Sequence, residues 1–331
     1  MTGSMFMQGK ASAILGEAIV RLVDNGRVYG FSHPPVNEIY EYIAKKGIFA
    51  PAFSIKEMAD IGLGISTAGK RTFVITSGTG IYDCMEAISY ATSYEVPFLS
   101  IHIGKSIPGF GNPYPYQGDL EILKAGDFPP IIFCPYMVDE IPFLLSQMVE
   151  LSERYRHPAV FYLDSALLNM TGGADLNLKV PEASWGLRTE KRVISSIYLE
   201  VRDMEKRLSG LKEKYNLIRK EARSHLYMME DAEYVVVAYG ICAYIAKKAV
   251  DELRLMDIKA GMINPVILSP LSDLNGQFVR AKKIYVVEMS NGQLYRYIKG
   301  YVGGVEMKTY NAYGGLIPDK GGLIDYIKGS L

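Results

Sequence analysis

Cysteine is scarce in this chain of 331 residues: it has three, Cys84, Cys134 and Cys242, far apart and odd in number. Disulfide bonds are therefore not expected, and a reducing, cytoplasmic setting is favoured. Three scattered cysteines also cannot supply the four thiolates of an iron–sulfur cluster.

An excess of charge is lacking as well, because Lys+Arg and Asp+Glu number 36 each. A nucleic-acid-binding protein would usually carry a basic surplus, so we expect no nucleic-acid partner. No apolar run is long enough to span a bilayer. The first residues, MTGSMFMQGK, lack the basic and apolar regions of a signal peptide, and we expect neither a membrane partner nor secretion.

Motifs for metal sites and nucleophiles are also missing. No two of the four histidines have metal-ligand spacing, and neither an H-E-x-x-H nor a G-x-S-x-G pattern occurs. We therefore expect no metal site on this chain. His102 is expected to be structural within a sheet, and His157 and His225 to lie on the surface. His33 could titrate near neutral pH.

What the chain does contain is enough apolar sequence, 49%, for a large core and two domains. Strand, turn and helix alternate up to residue 164 and again from residue 232, which predicts an α/β fold with mostly parallel sheets. We place a first domain at residues 1–175, a helical spacer at 176–230 and a second domain at 231–331.

The spacer has apolar residues at alternating three- and four-residue steps between positions 194 and 222. This pattern predicts an a/d-like seam on one long helix, or on two helices broken near Gly210. Such a helix either packs on its own chain or contacts a partner chain.

Two Gly-rich segments follow buried strands, where α/β folds place ligands. The first is Gly78-Thr79-Gly80, whose backbone N–H groups could face an anion. Taken alone, such a turn more often reflects tight packing than phosphate binding, because position 83 is aspartate and the dinucleotide motif is incomplete. The second is the loop over residues 104–120. Its Lys105 could hold a substrate carboxylate or be a solvated lysine.

The turn at 32–35, the turn at 78–80 and the loop at 105–116 should surround one cleft. We expect this because each follows a predicted strand of one sheet, and the carboxyl ends of parallel strands meet at one edge. On the helix ahead of Gly69, Ser54 is a plausible N-cap with Glu57 as its capping-box partner.

Several motifs together resemble the alpha subunits of 2-oxoacid:ferredoxin oxidoreductases, most closely the branched-chain (2-oxoisovalerate) type, with pyruvate and 2-oxoglutarate enzymes as relatives. The family motif G-Y-P-I-T-P-x-x-E matches GFSHPPVNE at 30–38. The further matches are AGKR at 68–71, TSGTG at 76–80, EAISY at 86–90, KSIPGFGN at 105–112, QGDL at 117–120, DAE at 231–233, VAYG at 237–240 and VEMSNGQL at 287–294.

The resemblance implies a first domain that binds the aminopyrimidine half of thiamine diphosphate, and a second domain like the transketolase C-terminal fold. It implies a beta subunit that holds the diphosphate with Mg²⁺, with iron–sulfur clusters on that subunit or on small gamma or delta subunits. Phe31, Ser32, His33, Pro34, Ile55, Gly78 and Gly80 would contact the cofactor, and Lys105 and Glu57 would be catalytic.

This chain alone should bind the cofactor weakly or not at all, because no G-D-G…N-type motif is present. Asp175, which follows Gly172-Gly173-Ala174, lacks the glycine frame, and so does Asp273, which follows Ser272.

Three positions depart from the family pattern. Pro34 replaces a threonine that contacts substrate, which removes a hydroxyl and an N–H donor. Counting back from Gly69 without gaps puts Ile55 where the family has the glutamate that bonds the pyrimidine ring, and isoleucine cannot transfer a proton. Glu57 could serve only after a two-residue shift, which turns its face by about 200°. Lys105 keeps the charge of a family arginine without its bidentate fork.

The resemblance implies oxidative decarboxylation of a 2-oxoacid with coenzyme A and ferredoxin. Two alternatives remain: a non-catalytic partner subunit that keeps the fold, and a thiamine-diphosphate enzyme of another reaction.

Overall fold

Strands and helices alternate along most of the chain in the computed structural model, which describes residues 5–23, 26–106, 109–179, 185, 194–271 and 274–330. The helices are α1 (Ala11–Leu22), α2 (Asn37–Lys45), α3 (Ile55–Thr67), α4 (Gly80–Tyr94), α5 (Leu120–Leu123), α6 (Ile141–Tyr155), α7 (Ser165–Leu168), α8 (Val201–Ile218), α9 (Gly240–Leu255), α10 (Gln293–Lys299) and α11 (Lys320–Lys328).

The strands are β1 (Phe6–Lys10), β2 (Val28–Gly30), β3 (Phe49–Pro51), β4 (Phe73–Ser77), β5 (Leu99–Gly104), β6 (Ile131–Phe133), β7 (Ala159–Asp164), β8 (Thr171–Asp175), β9 (Ser224–Tyr227), β10 (Tyr234–Ala238), β11 (Ala260–Pro265), β12 (Ile267–Ser269), β13 (Lys283–Glu288) and β14 (Glu306–Asn311).

The first main sheet has the order β12-β6-β7-β5-β4. Its strands β4, β5, β7 and β6 are parallel, and β12 joins the edge in the antiparallel sense. Every residue of β5 and β7 is buried, as expected for strands covered by helices on both faces. The predicted parallel-sheet α/β fold is confirmed, with β12 contributed by the later part of the chain.

The second main sheet has the order β14-β13-β10-β11-β9. Only β9 runs antiparallel to its neighbour; the other pairs are parallel. This second α/β unit was also predicted. The boundaries at residues 175 and 230 stay predictions.

Two small sheets were not foreseen. β2 pairs in parallel with β3 in a separate two-stranded sheet, so the expectation that the turn at 32–35 follows a strand of the main sheet is wrong. β1 pairs with β8 in the antiparallel sense. Asp175 ends β8, whereas Ser272 and Asp273 lie outside the described residues.

Helix α8 runs unbroken through Gly210, and a 3₁₀ turn then leads into β9, so the helical seam is shorter than predicted. On the last part of α8, Leu211, Tyr215 and Ile218 are buried on the chain's own core. On the first part, the apolar side chains of the seam are exposed: Val201, Met204 and Leu208. The predicted spacer also includes 180–184 and 186–193, which lie outside the described residues.

His157 is fully buried, which contradicts its predicted surface position. Its Nε2 donates to the carbonyl of Pro129 at 2.9 Å, and its ring packs on Tyr215. Burial lowers the pKa of His157 to about 3. The residue follows α6 directly, and it is covered by distant parts of the chain, among them Tyr215 of α8. His225 is half-buried on β9.

Candidate functional site

The side chains of Lys105 and Ile55 pack against the turn between β4 and α4. Gly78 has φ +52° and donates its N–H to the Ile103 carbonyl, and a Cβ there would lie 3.1 Å from Lys105 Cε. A Cβ on Gly80 would lie 2.7 Å from Ile55 Cδ1. Glycine is therefore needed at both positions for close approach. This supports the packing explanation of the turn.

Lys105 follows β5 and reaches across to the turn at 32–35. Its Nζ donates to the Pro34 carbonyl at 2.5 Å, and the Ser77 hydroxyl approaches the same oxygen at 3.4 Å. Burial lowers the pKa of Lys105. The structure thus brings the Lys105 loop, the Gly78 turn and the Pro34 turn into contact at one place, called the cleft below, although the Pro34 turn does not come from the main sheet. Ile107 and Pro108 of the loop lie outside the described residues.

His33 lies in the same turn. Its Nδ1 is 2.7 Å from the Phe31 carbonyl, and its Nε2 is buried with no hydrogen-bond partner among the described residues. Burial lowers the pKa of His33, and the nearby charges of Lys105 and His102 act in the same direction. Phe31 and Ser32 are exposed at the rim of the turn.

At the start of α3, the side chains of Ile55 and Glu57 contact different parts of the chain. Ser54 caps the helix by accepting from the Glu57 N–H at 3.1 Å, as predicted. The Glu57 carboxylate turns back and accepts from the Phe53 N–H at 2.6 Å. Ile55 points at Gly80 instead. Glu57 is therefore engaged at its own helix terminus, while the apolar Ile55 meets the turn.

A buried polar chain under the cleft was missed by sequence reasoning. His102 Nε2 is 2.9 Å from Asp119 Oδ2, and its Nδ1 is 3.0 Å from Thr76 Oγ1. Burial raises the pKa of Asp119, and the hydrogen bond with His102 opposes that effect. His102 was expected to be structural, which fits this position. The aspartate of QGDL was the available signal for its partner.

Gln117 fixes the end of the Lys105 loop to the second main sheet. Its Nε2 donates to the Tyr239 carbonyl at 2.9 Å, and its Oε1 accepts from the Met289 N–H at 3.0 Å. The Tyr239 hydroxyl in turn donates to the Gln117 carbonyl at 2.6 Å. Gln117 is fully buried. The cleft therefore depends on contacts from both halves of the chain.

A cavity of about 240 Å³ lies between the Lys105 loop and the segment at 312–315. Its lining includes four aromatic side chains, Phe110, Tyr114, Tyr116 and Tyr313. In the described part of the chain, no three His, Cys, Asp or Glu side chains come together as a metal site. No helix among the described residues is long and apolar enough to cross a membrane.

Comparison with known families gives two matches. Residues 55–239 match the family described as "Pyruvate flavodoxin/ferredoxin oxidoreductase, thiamine diP-bdg". Residues 232–323 match "Pyruvate:ferredoxin oxidoreductase core domain II". The first match includes the Gly78 turn and the Lys105 loop but begins after the Pro34 turn, and the second includes Tyr239 and Met289, to which Gln117 bonds.

Individual proteins are similar along most of the chain. The ketoisovalerate oxidoreductase subunit VorB of Methanothermobacter marburgensis is 30% identical over 309 residues, 87% of each chain. The 2-oxoglutarate synthase subunit KorA of Methanocaldococcus jannaschii is 26% identical over 311 residues, 80% of this chain and 84% of that one.

Solved structures share the fold. The 2-oxoglutarate:ferredoxin oxidoreductase from Magnetococcus marinus, with 2-oxoglutarate, coenzyme A and succinyl-CoA bound, aligns with a TM-score of 0.88 and 19% identity. The alignment covers 98% of this chain but spans only 65% of that one. A split-gene transketolase aligns with a TM-score of 0.61 and 13% identity, over 97% and 98% of the two chains.

Proposed function

This chain belongs to the pyruvate flavodoxin/ferredoxin oxidoreductase, thiamine-diphosphate-binding family, and we propose that it is the alpha subunit of a 2-oxoacid:ferredoxin oxidoreductase. In the proposed reaction the 2-oxoacid loses CO₂, its acyl group passes to coenzyme A, and the electrons released reduce ferredoxin. The observation that carries the proposal is the convergence of Lys105 and the Gly78 turn, both within the family-matched segment 55–239, with the Pro34 turn that precedes it.

Lys105 is the proposed binding group for the substrate carboxylate. It is a partly buried cation held over the turn by a single backbone carbonyl, which an anionic substrate could displace. The branched-chain type is the proposed substrate class, since VorB, a ketoisovalerate oxidoreductase subunit, is 30% identical to this chain.

The residues of the cleft do not fit the family's acid–base role toward the aminopyrimidine. Ile55 faces the Gly80 turn without a proton to give, and Glu57 is held by the Phe53 N–H. We therefore assign no proton transfer with the cofactor to this chain. This favours a second candidate function, a partner subunit that keeps the fold and the interface but has little or no catalytic activity of its own.

The proposed partners follow from the family. A beta subunit would hold the diphosphate, Mg²⁺ and iron–sulfur clusters, with gamma and delta subunits and ferredoxin as further partners. Support comes from the similar proteins VorB and KorA, each of which is named as a subunit. We also propose a cytoplasmic location, because all three cysteines are free and buried, as in a reducing setting.

The test is to purify the chain with whatever subunits it binds and to measure dye reduction that depends on a 2-oxoacid and coenzyme A. Lys105→Ala should raise the KM for the 2-oxoacid roughly 10-fold or more, because a charge-assisted hydrogen bond is lost. Lys105→Arg should keep activity, and Lys328→Ala, at an exposed site, is the control. An intact complex that reduces dye with no 2-oxoacid would contradict the proposed reaction.

A second pair of variants distinguishes the roles of Ile55 and Glu57. If the gapless alignment is right, native activity is slow and Ile55→Glu raises it, since an acid–base group is typically worth about 10²–10⁴ in rate. If instead the native complex is fast and Glu57→Gln abolishes its activity while Ile55→Glu changes nothing, the alignment is wrong and Glu57 is the working acid.

A further inference from the structure

His33 presents one unsatisfied nitrogen in the cleft. Its Nε2 is buried and has no hydrogen-bond partner in the described part of the chain, whereas its Nδ1 lies 2.7 Å from the Phe31 carbonyl. A buried polar atom without a partner costs free energy comparable to a lost hydrogen bond. This atom lies in the same turn as the Pro34 carbonyl that Lys105, the proposed carboxylate-binding group, contacts, which points to a ligand as the source of the missing bond.

The Phe31 contact decides what kind of bond is missing. A carbonyl oxygen can only accept, so Nδ1 carries the hydrogen. In the neutral ring Nε2 is then an acceptor with a free lone pair. The charges that act on the ring are those of Lys105 and His102, both of which disfavour a second proton. His102 is itself bonded to Asp119 and Thr76, so its ring nitrogens are not available to His33.

We propose that His33 is the hydrogen-bond acceptor of this cleft, and that its Nε2 receives an uncharged N–H or O–H donor from the ligand held beside Lys105. The inference rests on the proposed function for the identity of that ligand. The family motif has isoleucine at the position of His33, so this ring nitrogen is a polar group that the motif itself does not supply.

Two sources could supply the donor: the amino group of the cofactor's pyrimidine, or a water bridged to the 2-oxoacid. Calorimetry on the purified complex, with thiamine diphosphate and Mg²⁺ in one arm and the 2-oxoacid in the other, separates them. The variants are His33→Leu, which removes the acceptor, and His33→Gln, which keeps an oxygen near the Nε2 position. His225→Leu, at a half-buried histidine on β9, is the matched control.

His33→Leu should weaken one of the two ligands by about 3- to 10-fold, the effect of one hydrogen bond. His33→Gln should stay within about 2-fold of the parent, since its amide oxygen also accepts a hydrogen bond. In the parent, affinity should fall as the pH drops through the His33 pKa, because a protonated Nε2 cannot accept. In His33→Gln this acid loss should be absent.

A weaker cofactor identifies the pyrimidine amino group as the donor, and a weaker 2-oxoacid alone identifies the bridged water. Unchanged affinity for both in His33→Leu overturns the inference. If the complex turns over normally while His33→Leu leaves both affinities unchanged, only the role of His33 is refuted. If the complex binds both probes and never turns over, only the proposed reaction is refuted. If His33→Leu does not fold, imidazole ¹⁵N shifts of the parent decide, since a ring unaffected by either probe contradicts the contact.

Discussion

Replacing Gln117 by leucine would test whether the cleft depends on the second sheet. The substitution keeps the side-chain volume nearly constant but leaves the Met289 N–H without the amide oxygen it now bonds at 3.0 Å. The Tyr239 carbonyl loses its 2.9 Å bond from the amide and keeps the one from the Ala243 N–H at 3.3 Å. An unsatisfied buried N–H costs about 1–3 kcal/mol and a lost hydrogen bond about 0.5–1.5 kcal/mol, so we expect the free energy of unfolding to fall by about 2–4 kcal/mol.

Gln117→Glu adds a signature that depends on pH. As a carboxylate, the introduced side chain could accept from Met289 but not donate to Tyr239, and it would face Asp164, whose Oδ2 is 3.4 Å from the Gln117 amide nitrogen. The protonated acid would reproduce the amide. The pKa of the introduced acid in the folded state should therefore exceed the unfolded value of about 4.3. The penalty relative to the parent should be largest at pH 7 and shrink toward pH 5.

Urea denaturation followed by the fluorescence of Trp185, the single and buried tryptophan, measures both effects. Gln8→Leu and Gln8→Glu, at an exposed position on β1, are the controls. The reasoning is refuted if Gln117→Leu stays within about 1 kcal/mol of the parent. It is equally refuted if the Gln117→Glu penalty is the same at pH 7 and pH 5.

Three further outcomes are expected. His157 is neutral in the fold and protonated in the unfolded chain below pH 6.5, so the free energy of unfolding should fall by about 2 kcal/mol between pH 6.5 and 5. Urea titrations at each pH should show a smaller loss in His157→Gln. Glu153→Gln should cost about 3–5 kcal/mol in unfolding free energy, because it leaves the Arg71 charge buried without its carboxylate, and Arg71→Met with Glu153→Met should recover much of that loss. Leu211→Ala should reduce the free energy of unfolding by about 2–4 kcal/mol and lower the thermal midpoint, because Leu211 is buried. Leu208 is 41% exposed, so Leu208→Ala should lower the midpoint much less. Equal effects would contradict the observed packing of α8.

Local sequence signals located the elements that bear the cleft. Ser54 caps α3 as predicted, and β4 and β5 occupy the apolar runs that precede the two Gly-rich segments. These features depend on neighbours in sequence, since a cap bonds an N–H three residues away and a buried parallel strand needs a continuous apolar run.

Long-range features were predicted less well. The turn at His33 reaches the cleft from a small sheet of its own, and His157 is covered by a helix that lies more than 40 residues later. Neither the pairing of β2 with β3 nor the position of α8 is encoded in the residues next to these histidines. Burial, and with it the pKa of each ring, could not be read from their local sequence.

The sequence by itself determined the α/β fold, the two parallel-sheet units, the family motifs and the candidate residues Lys105, Pro34 and Ile55, because periodicity, caps and motif spacing are local properties of the chain. Only the tertiary structure decided which of these residues meet. It turned the Glu57 carboxylate back to its own helix, set Ile55 against Gly80, and left His33 Nε2 beside Lys105 with no partner among the described residues. Those outcomes depend on side-chain directions and on hydrogen bonds between distant segments, which are fixed only when the whole core packs.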